Sequence, residues 1–327
     1  MAPPNANYGD ILATTIQKLA PTMVDALSNN NAALYKMKQR KNVKPFDGGP
    51  KIVQSLDYAE NSTYTRYSGY EQIDTSASQT FTAAEYAIKQ VAVTVTMSGL
   101  EMIKSAGKSQ VFDLMDARIE NAKRTFENNF STDIYSDGTA SGGKQVGGLQ
   151  LLIADDPTTG TVGGINRASH TWWRASKYAG VADGGAAVSS TNIQEYMRKL
   201  WLLISTGNDK PDLIVADNTY FEYFEGSLTA IQRIQSESNE MAKAGFDAYE
   251  FKKAPVVFDG GDGGACPSAH MYFINTKYLY LRPFSGRQFS LLNPDRHAVN
   301  QDAVVKIQAW AGNLCLSHGR RQGVLIA

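Results

Sequence analysis

Apolar residues recur every three or four positions across residues 109–135, where Val111, Leu114, Met115, Ile119, Ala122, Phe126, Phe130 and Ile134 share one face. That is the period of an amphipathic helix, and at about 1.5 Å per residue it would run roughly 40 Å. Just upstream, Ser98 and Glu101 have the spacing of a capping box, in which the hydroxyl accepts from the Glu101 amide and the carboxylate reaches back. Gly107 suits the C-terminal cap of a short first helix, and Asp137-Gly138 stops the long one. Leu114, Ile119, Phe126 and Phe130 are its predicted core residues. A stripe this long must be covered by the rest of the fold or by an assembly.

Before this helix the pattern is mostly extended. Residues 1–29 are polar with one amphipathic piece, for which Asp10 is an N-cap and Pro21 a kink. A short helix over 32–41 ends in Lys36, Lys38, Arg40 and Lys41. These four either satisfy the helix's own last carbonyls or face a polyanion or acidic neighbour. Strands are predicted over 51–58 and 81–97, the second alternating Val91, Val93 and Val95 with Ala92, Thr94 and Thr96. Between them lies an aromatic but polar tract carrying Tyr58, Tyr64, Tyr67 and Tyr70 among Asn61, Ser62, Thr63 and Thr65. It has too little aliphatic content for a core of its own. Tyrosines there provide contact area at low entropic cost, so the segment reads as a hairpin arm ordered by neighbours.

After the helix, Gly142-Gly143 and Gly147-Gly148 suggest a hinge, and His170, Trp172 and Trp173 an aromatic knot in a loop-rich stretch. A helix over 192–205 carries the stripe Ile193, Met197, Leu200, Trp201 and Ile204. Leu213-Ile214-Val215-Ala216 is a buried strand, and Asp217-Asn218 caps a helix over 219–234. Further strands are predicted over 249–258, 271–280 and 303–317, with Pro255 and the glycine turn 260–264 at sheet edges. This half is α+β with a central sheet.

Composition narrows the function. The 327 residues are 43% hydrophobic, ordinary for a globular chain, with 32 basic and 32 acidic side chains. Zero net charge argues against wrapping nucleic acid through many phosphate contacts and gives copies no long-range repulsion. Cys266 and Cys315 read as reduced thiols. No secretory signal and no apolar run of transmembrane length is visible, which predicts cytoplasmic synthesis and no membrane partner. His170, His270, His297 and His318 lie far apart, without a zinc motif, a phosphate loop or a nucleophile elbow. Asp259 and Asp262 in the glycine turn could offer oxygens to calcium, but the remaining carboxylates are missing and a plain turn is the better reading. Asp155-Asp156-Pro157 also reads as a turn, and Ser317 beside His318 would point to the opposite strand face. No catalytic residue, cofactor or metal ligand is predicted, so the chain is not expected to be an enzyme.

Several phrases resemble the major capsid protein family of tailed double-stranded DNA bacteriophages, in this order: Lys44-Pro45-Phe46-Asp47-Gly48-Gly49, Tyr58-Ala59-Glu60-Asn61 and Arg66-Tyr67-Ser68-Gly69-Tyr70. Phe81-Thr82-Ala83-Ala84-Glu85-Tyr86, Ser131-Thr132-Asp133-Ile134-Tyr135-Ser136-Asp137-Gly138 and Gly147-Gly148-Leu149-Gln150 continue the likeness over nearly the whole chain. The resemblance implies the Hong Kong 97-like α+β fold. Residues 1–42 would be the N-terminal arm, 43–97 the extended loop with peripheral-domain strands, and 98–140 the spine helix. Residues 141–327 would be mainly the axial domain, the last strands partly returning to the peripheral domain. Tyr58, Tyr64, Arg66, Tyr67 and Tyr70 would be inter-subunit contacts. The implied role is a coat subunit that self-assembles through hexamers and pentamers into an icosahedral head, located in the virion after assembly in the host bacterial cytoplasm. It also implies a portal, a possible decoration protein and at most non-specific DNA contact. With little chain ahead of the arm, a separate scaffolding protein is expected. An encapsulin-like nanocompartment shell and a metal-dependent hydrolase using Asp259 and Asp262 are the competing expectations.

Overall fold

The long helix and the strand that follows Tyr86 hold two sheets together. The computed structural model describes residues 31–104, 108–228, 248–259, 265–288, 290–297 and 302–327; side chains of 102–117, 290–297 and 304 lie outside the description. The expected helix within 1–29, the Gly107 cap, Asp262 and the Leu114 side chain therefore fall outside it.

Asn31 starts α1 (Ala32–Gln39), its side-chain oxygen accepting from the Ala33 and Leu34 amides at 3.1 Å each. Ala32, Ala33, Leu34 and Met37 are buried. The chain then runs parallel to a later strand, with bridges Val43↔Leu281 and Phe46↔Phe284. β1 (Ile52–Asp57) pairs antiparallel with β2 (Phe81–Tyr86), from Ile52↔Tyr86 to Asp57↔Phe81.

The single strand expected over 81–97 is two. β3 (Lys89–Ser98) leaves β1 and pairs instead with residues 303–312. Tyr86 marks the crossing: buried, it donates its hydroxyl to the Leu316 carbonyl at 3.0 Å and accepts from the Leu316 amide at 3.1 Å. The helices α2 (Gly99–Lys104) and α3 (Lys108–Tyr135) come next, the second within a residue of its predicted bounds. After it, α4 (Leu149–Leu152) and a hairpin of β4 (Thr161–Val162) with β5 (Ile165–Asn166) lead to β6 (Ser176–Ala179).

The helices α5 (Ile193–Ile204) and α6 (Asn218–Ser227) flank β7 (Leu213–Ala216), and Asp217 caps α6 by accepting from the Tyr220 amide. The strand expected over 249–258 is the hairpin β8 (Ala248–Phe251) and β9 (Ala254–Phe258). The strand expected over 271–280 divides into β10 (His270–Ile274) and β11 (Leu279–Pro283), which belong to different sheets. β12 (Ser290–His297), β13 (Ala303–Leu316) and β14 (Gly323–Ile326) complete the chain.

The six-stranded sheet has the order β6-β14-β10-β7-β9-β8. Its two faces feed two cores. Ile214, Val256, Phe273 and Leu325 pack with Met197, Leu200 and Phe224 of α5 and α6. Leu213, Val215, Val257 and Tyr272 join the core that contains Phe126, Phe130 and Trp310. Strands buried on both faces read as unbroken apolar runs, as β7 does. Pro255 sits on the interior strand β9, not on an edge; the β7–β9 ladder begins only at Val256, so its missing N–H falls outside that ladder. In the second sheet β13 is central, with β3 along one side and β11 and β12 along the other. Ile119, Phe126 and Phe130 of α3 are buried, and Phe130 meets Trp310 of β13 edge-on at 4.8 Å.

Candidate functional site

Beyond the Asp57↔Phe81 pair, residues 58–80 form an irregular loop whose side-chain hydrogen bonds are local. Asn61 accepts from the Thr63 amide and hydroxyl, Glu71 from the Ser68 amide, and Asp74 from the Ser76 amide; Ser62 and Ser78 link the two limbs. Tyr64 is 80% exposed, Tyr67 63% and Tyr70 fully so, with Ile73 and Phe81 also open to water. Arg66 is exposed beside them. Tyr58 stands apart from this group. It is half-buried at the loop's base, its ring 5.2 Å from Trp172, which in turn meets His170 and Trp173. The aromatic knot is thus the point where the loop joins the body.

The basic cluster also divides. Lys36 and Arg40 line a cleft of roughly 590 Å³ between α1 and the end of the six-stranded sheet, whereas Lys38 and Lys41 are exposed and do not line it. Arg40 pairs with Asp212 at 2.9 Å, and Asp212 also accepts from the Thr276 amide and hydroxyl. On the opposite wall Lys277 pairs with Asp209 at 2.8 Å.

The capping box is present: the Ser98 amide donates to Glu101 at 3.1 Å and the Glu101 amide to the Ser98 hydroxyl at 3.3 Å. Arg118 of α3 grips the same carboxylate through two nitrogens at 3.1 and 2.6 Å and also donates to the Thr96 carbonyl. That grip, with the Ser98 amide, holds the Glu101 carboxyl well below its usual range, at about 2. The two helices are thereby clamped to the end of β3.

A second polar joint lies where the helices meet the six-stranded sheet. Tyr135, the last residue of α3, donates to Asp259 at 2.5 Å at the end of β9. Burial pushes the Asp259 carboxyl up. Asp155 is more than a turn residue: its Oδ1 lies 3.0 Å from His270 Nε2, while His270 Nδ1 lies 2.7 Å from the Ser268 carbonyl. Both partners are acceptors, so the fully bonded ring is the imidazolium. Burial alone would lower the His270 pKa, but Asp155 and the Ser268 carbonyl together raise it; Asp155, held chiefly by His270, is lowered. Their mutual stabilisation therefore spans the window between the two pKa values and is lost as pH rises through that of folded His270. Thermal denaturation of wild type and His270→Gln, followed by circular dichroism from pH 6 to pH 9, should show a wild-type advantage of about 1 °C that shrinks towards pH 9. That is the scale of a partly exposed pair worth about 0.5–1 kcal/mol. A gap independent of pH would refute the assignment.

Catalytic constellations are not assembled among the described residues. No group of three or more His, Cys, Asp or Glu there could hold a metal. Asp259 is engaged by Tyr135, and Asp262 lies outside the description. Ser317 donates to the Tyr278 carbonyl, while the His318 ring packs on that of Tyr278. Cys266 and Cys315 are free buried thiols, and burial pushes the second up to about 12. No helix among the described residues is long and apolar enough to cross a membrane.

No family model matches the sequence, and no curated protein is significantly similar to it. Solved structures do match along most of its length. A chain of the cyanophage A-1(L) capsid asymmetric unit superposes with a TM-score of 0.61 at 16% identity, covering 87% of this chain and 90% of that one. A chain of the capsid of the empty GTA particle matches with 0.55 at 11% identity, covering 88% of each, and one of the native GTA capsid with 0.54 at 12%, covering 89% of each. The α+β architecture described above, across nearly its whole length, is the Hong Kong 97-like fold of phage capsid subunits.

Proposed function

We propose that this chain is a major capsid protein, the repeating subunit of an icosahedral head that encloses a phage double-stranded DNA genome. The observation that carries this reading is the loop 58–80, whose exposed tyrosines the subunit's own body leaves uncovered. Large aromatic side chains left exposed together in one loop mark a surface that another protein covers. A shell supplies that cover through many weak reciprocal contacts between copies in hexamers and pentamers. On this reading 1–42 is the arm, 43–97 the extended loop with peripheral strands, 98–140 the spine and 141–327 mainly the axial domain. A separate scaffolding protein and a portal are its expected partners, and a decoration protein is a possible further one. Assembly takes place in the host bacterial cytoplasm, and the packaged DNA is contacted non-specifically at most.

Electron microscopy of the expressed chain should show shells, or shells on addition of its scaffold. Shells filled with a protein cargo in place of DNA would identify a nanocompartment. The triple variant Tyr64→Ser, Tyr67→Ser and Tyr70→Ser should keep the wild-type circular dichroism and melting temperature. Its assembly should need at least about tenfold more protein, since each buried aromatic contact contributes on the order of 1 kcal/mol or more. A triple variant that unfolds as a subunit would place the loop in its own core and defeat the reading.

A further inference from the structure

Where the long helix meets the six-stranded sheet, a carboxyl sits in a neutral pocket. Tyr135 ends α3, is 1% exposed, and donates at 2.5 Å to Asp259 just past β9. Asp259 is itself largely enclosed, and its carboxyl also accepts from the Ala265 amide. Among the described residues no cation pairs with it. The surrounding groups come from several elements. β10 contributes Tyr272, fully buried, its ring 6.2 Å from that of Tyr135 and its hydroxyl without a partner among the described residues. The segment leading into β10 contributes Cys266, a buried thiol. Burial holds Tyr135, Cys266 and Tyr272 far above their ordinary values, so all three keep their protons. At the end of β7, Asp217 is occupied by the Tyr220 and Ala269 amides; as a like charge it gives Asp259 no relief. On α3 the nearby Asp133 turns to Gln145. Beyond Tyr272, His270 stacks on that ring at 5.9 Å and is balanced by Asp155.

An ionised carboxyl in such a place has one hydroxyl and one amide in exchange for its water. Protonated, Asp259 keeps the Tyr135 bond and loses only the charge. Ionised, it is an unpaired charge at the hydrogen bond that ties the tip of α3 to β9. We propose that Asp259 is a proton switch that sets how tightly the end of α3 is held to the six-stranded sheet. The joint is closed while the carboxyl carries its proton. Loss of the proton draws water towards the carboxylate and loosens the last turn of α3 from β9. The sign follows from the enclosure, which makes the folded chain hold this proton more tightly than the unfolded one. The stabilisation is therefore full below the ordinary carboxyl range and lost as pH rises through the value of folded Asp259. The joint lies within one subunit, so the inference does not depend on the shell reading.

Asp259→Asn keeps an acceptor for the Tyr135 hydroxyl, abolishes the charge and leaves the His270–Asp155 pair in place. In the full chain it should melt with wild type at pH 4 and about 2 °C or more above it at pH 8. Infrared spectroscopy should show a protonated-carboxyl band in the wild type that fades as pH rises and is missing from Asp259→Asn. Tyr135→Phe removes the donor that steadies the charged form, so the midpoint of that band should move about one pH unit higher. The Ser136 amide donates to the Asp133 carbonyl and the Gly148 amide to that of Ser136, so both report on the end of α3. Their hydrogen exchange, corrected for its intrinsic pH dependence, should quicken through the same midpoint in wild type and not in Asp259→Asn. An Asp259→Asn chain that melts with or below wild type at pH 8 overturns the switch, as does exchange that quickens equally in both. A band whose midpoint ignores Tyr135→Phe assigns the proton to another group and overturns it as well.

Discussion

Phe126→Asp is expected to abolish cooperative folding of the subunit. Phe126 is 2% exposed, stacked on Phe130 at 5.6 Å, which itself meets Trp310 of the central strand of the four-stranded sheet. Truncating a buried phenylalanine costs about 3–5 kcal/mol through lost transfer energy and the cavity left behind. A carboxylate in the same place adds several more, the cost of moving a charge from water into this apolar cluster. Single domains have only about 5–15 kcal/mol to lose. Urea titration followed by tryptophan fluorescence should show a shallow, early transition or none. Phe126→Leu, which refills much of the volume, should retain a sigmoidal transition at lower midpoint. A sharp wild-type-like transition for the aspartate variant would mean that α3 does not organise the core.

That helix was legible in the sequence because period and stop signal agree. Its apolar spacing and the Asp137-Gly138 stop specify the same segment, and the Ser98–Glu101 box, which forms, starts the short helix α2 just before it. The helix α5 was legible from its apolar period, and the strand β7 as an unbroken apolar run. Alternation shows which face a residue takes but not which strand it pairs with. Hence the changes of sheet after Tyr86 and between Ile274 and Leu279 left no mark in the pattern. β14, four residues inserted between β6 and β10, is too short to show a period. At the candidate site the exposed tyrosines followed from the loop's lack of aliphatic residues. The polar clamps did not: Arg118–Glu101, His270–Asp155 and Tyr135–Asp259 join residues 17, 115 and 124 apart. Only the fold brings such partners together, and Tyr58 was separated from its fellow tyrosines by a tryptophan more than a hundred residues away.

The glycine pairs after α3 separate freedom from lack of space, and Gly148→Ala should be among the costliest single-methyl changes in the chain. Gly147-Gly148 reads in the sequence as a hinge, but Gly148 has φ −92° and ψ −163°, an extended backbone open to any residue. Space is what it lacks: a Cβ there would come within 2.5 Å of the Asp133 and Ile134 carbonyl oxygens at the end of α3. The joint is further tied by the Gly148 and Leu151 amides, both donating to the Ser136 carbonyl. These neighbours are backbone and cannot rotate aside, so the cost should reach about 3 kcal/mol or more, the upper end for overpacking. In melting temperature that is a loss of roughly 4 °C or more for a chain of this length. Gly142 is the opposite case, with φ 68° and nothing within 4 Å of the place an added methyl would take. Gly142→Ala should therefore cost only about 1 kcal/mol, the left-handed backbone alone. If both variants lost the same small amount, the 147–148 segment would be a hinge after all. A large loss confined to Gly148→Ala makes it a weld that fixes the start of α4 to the end of α3.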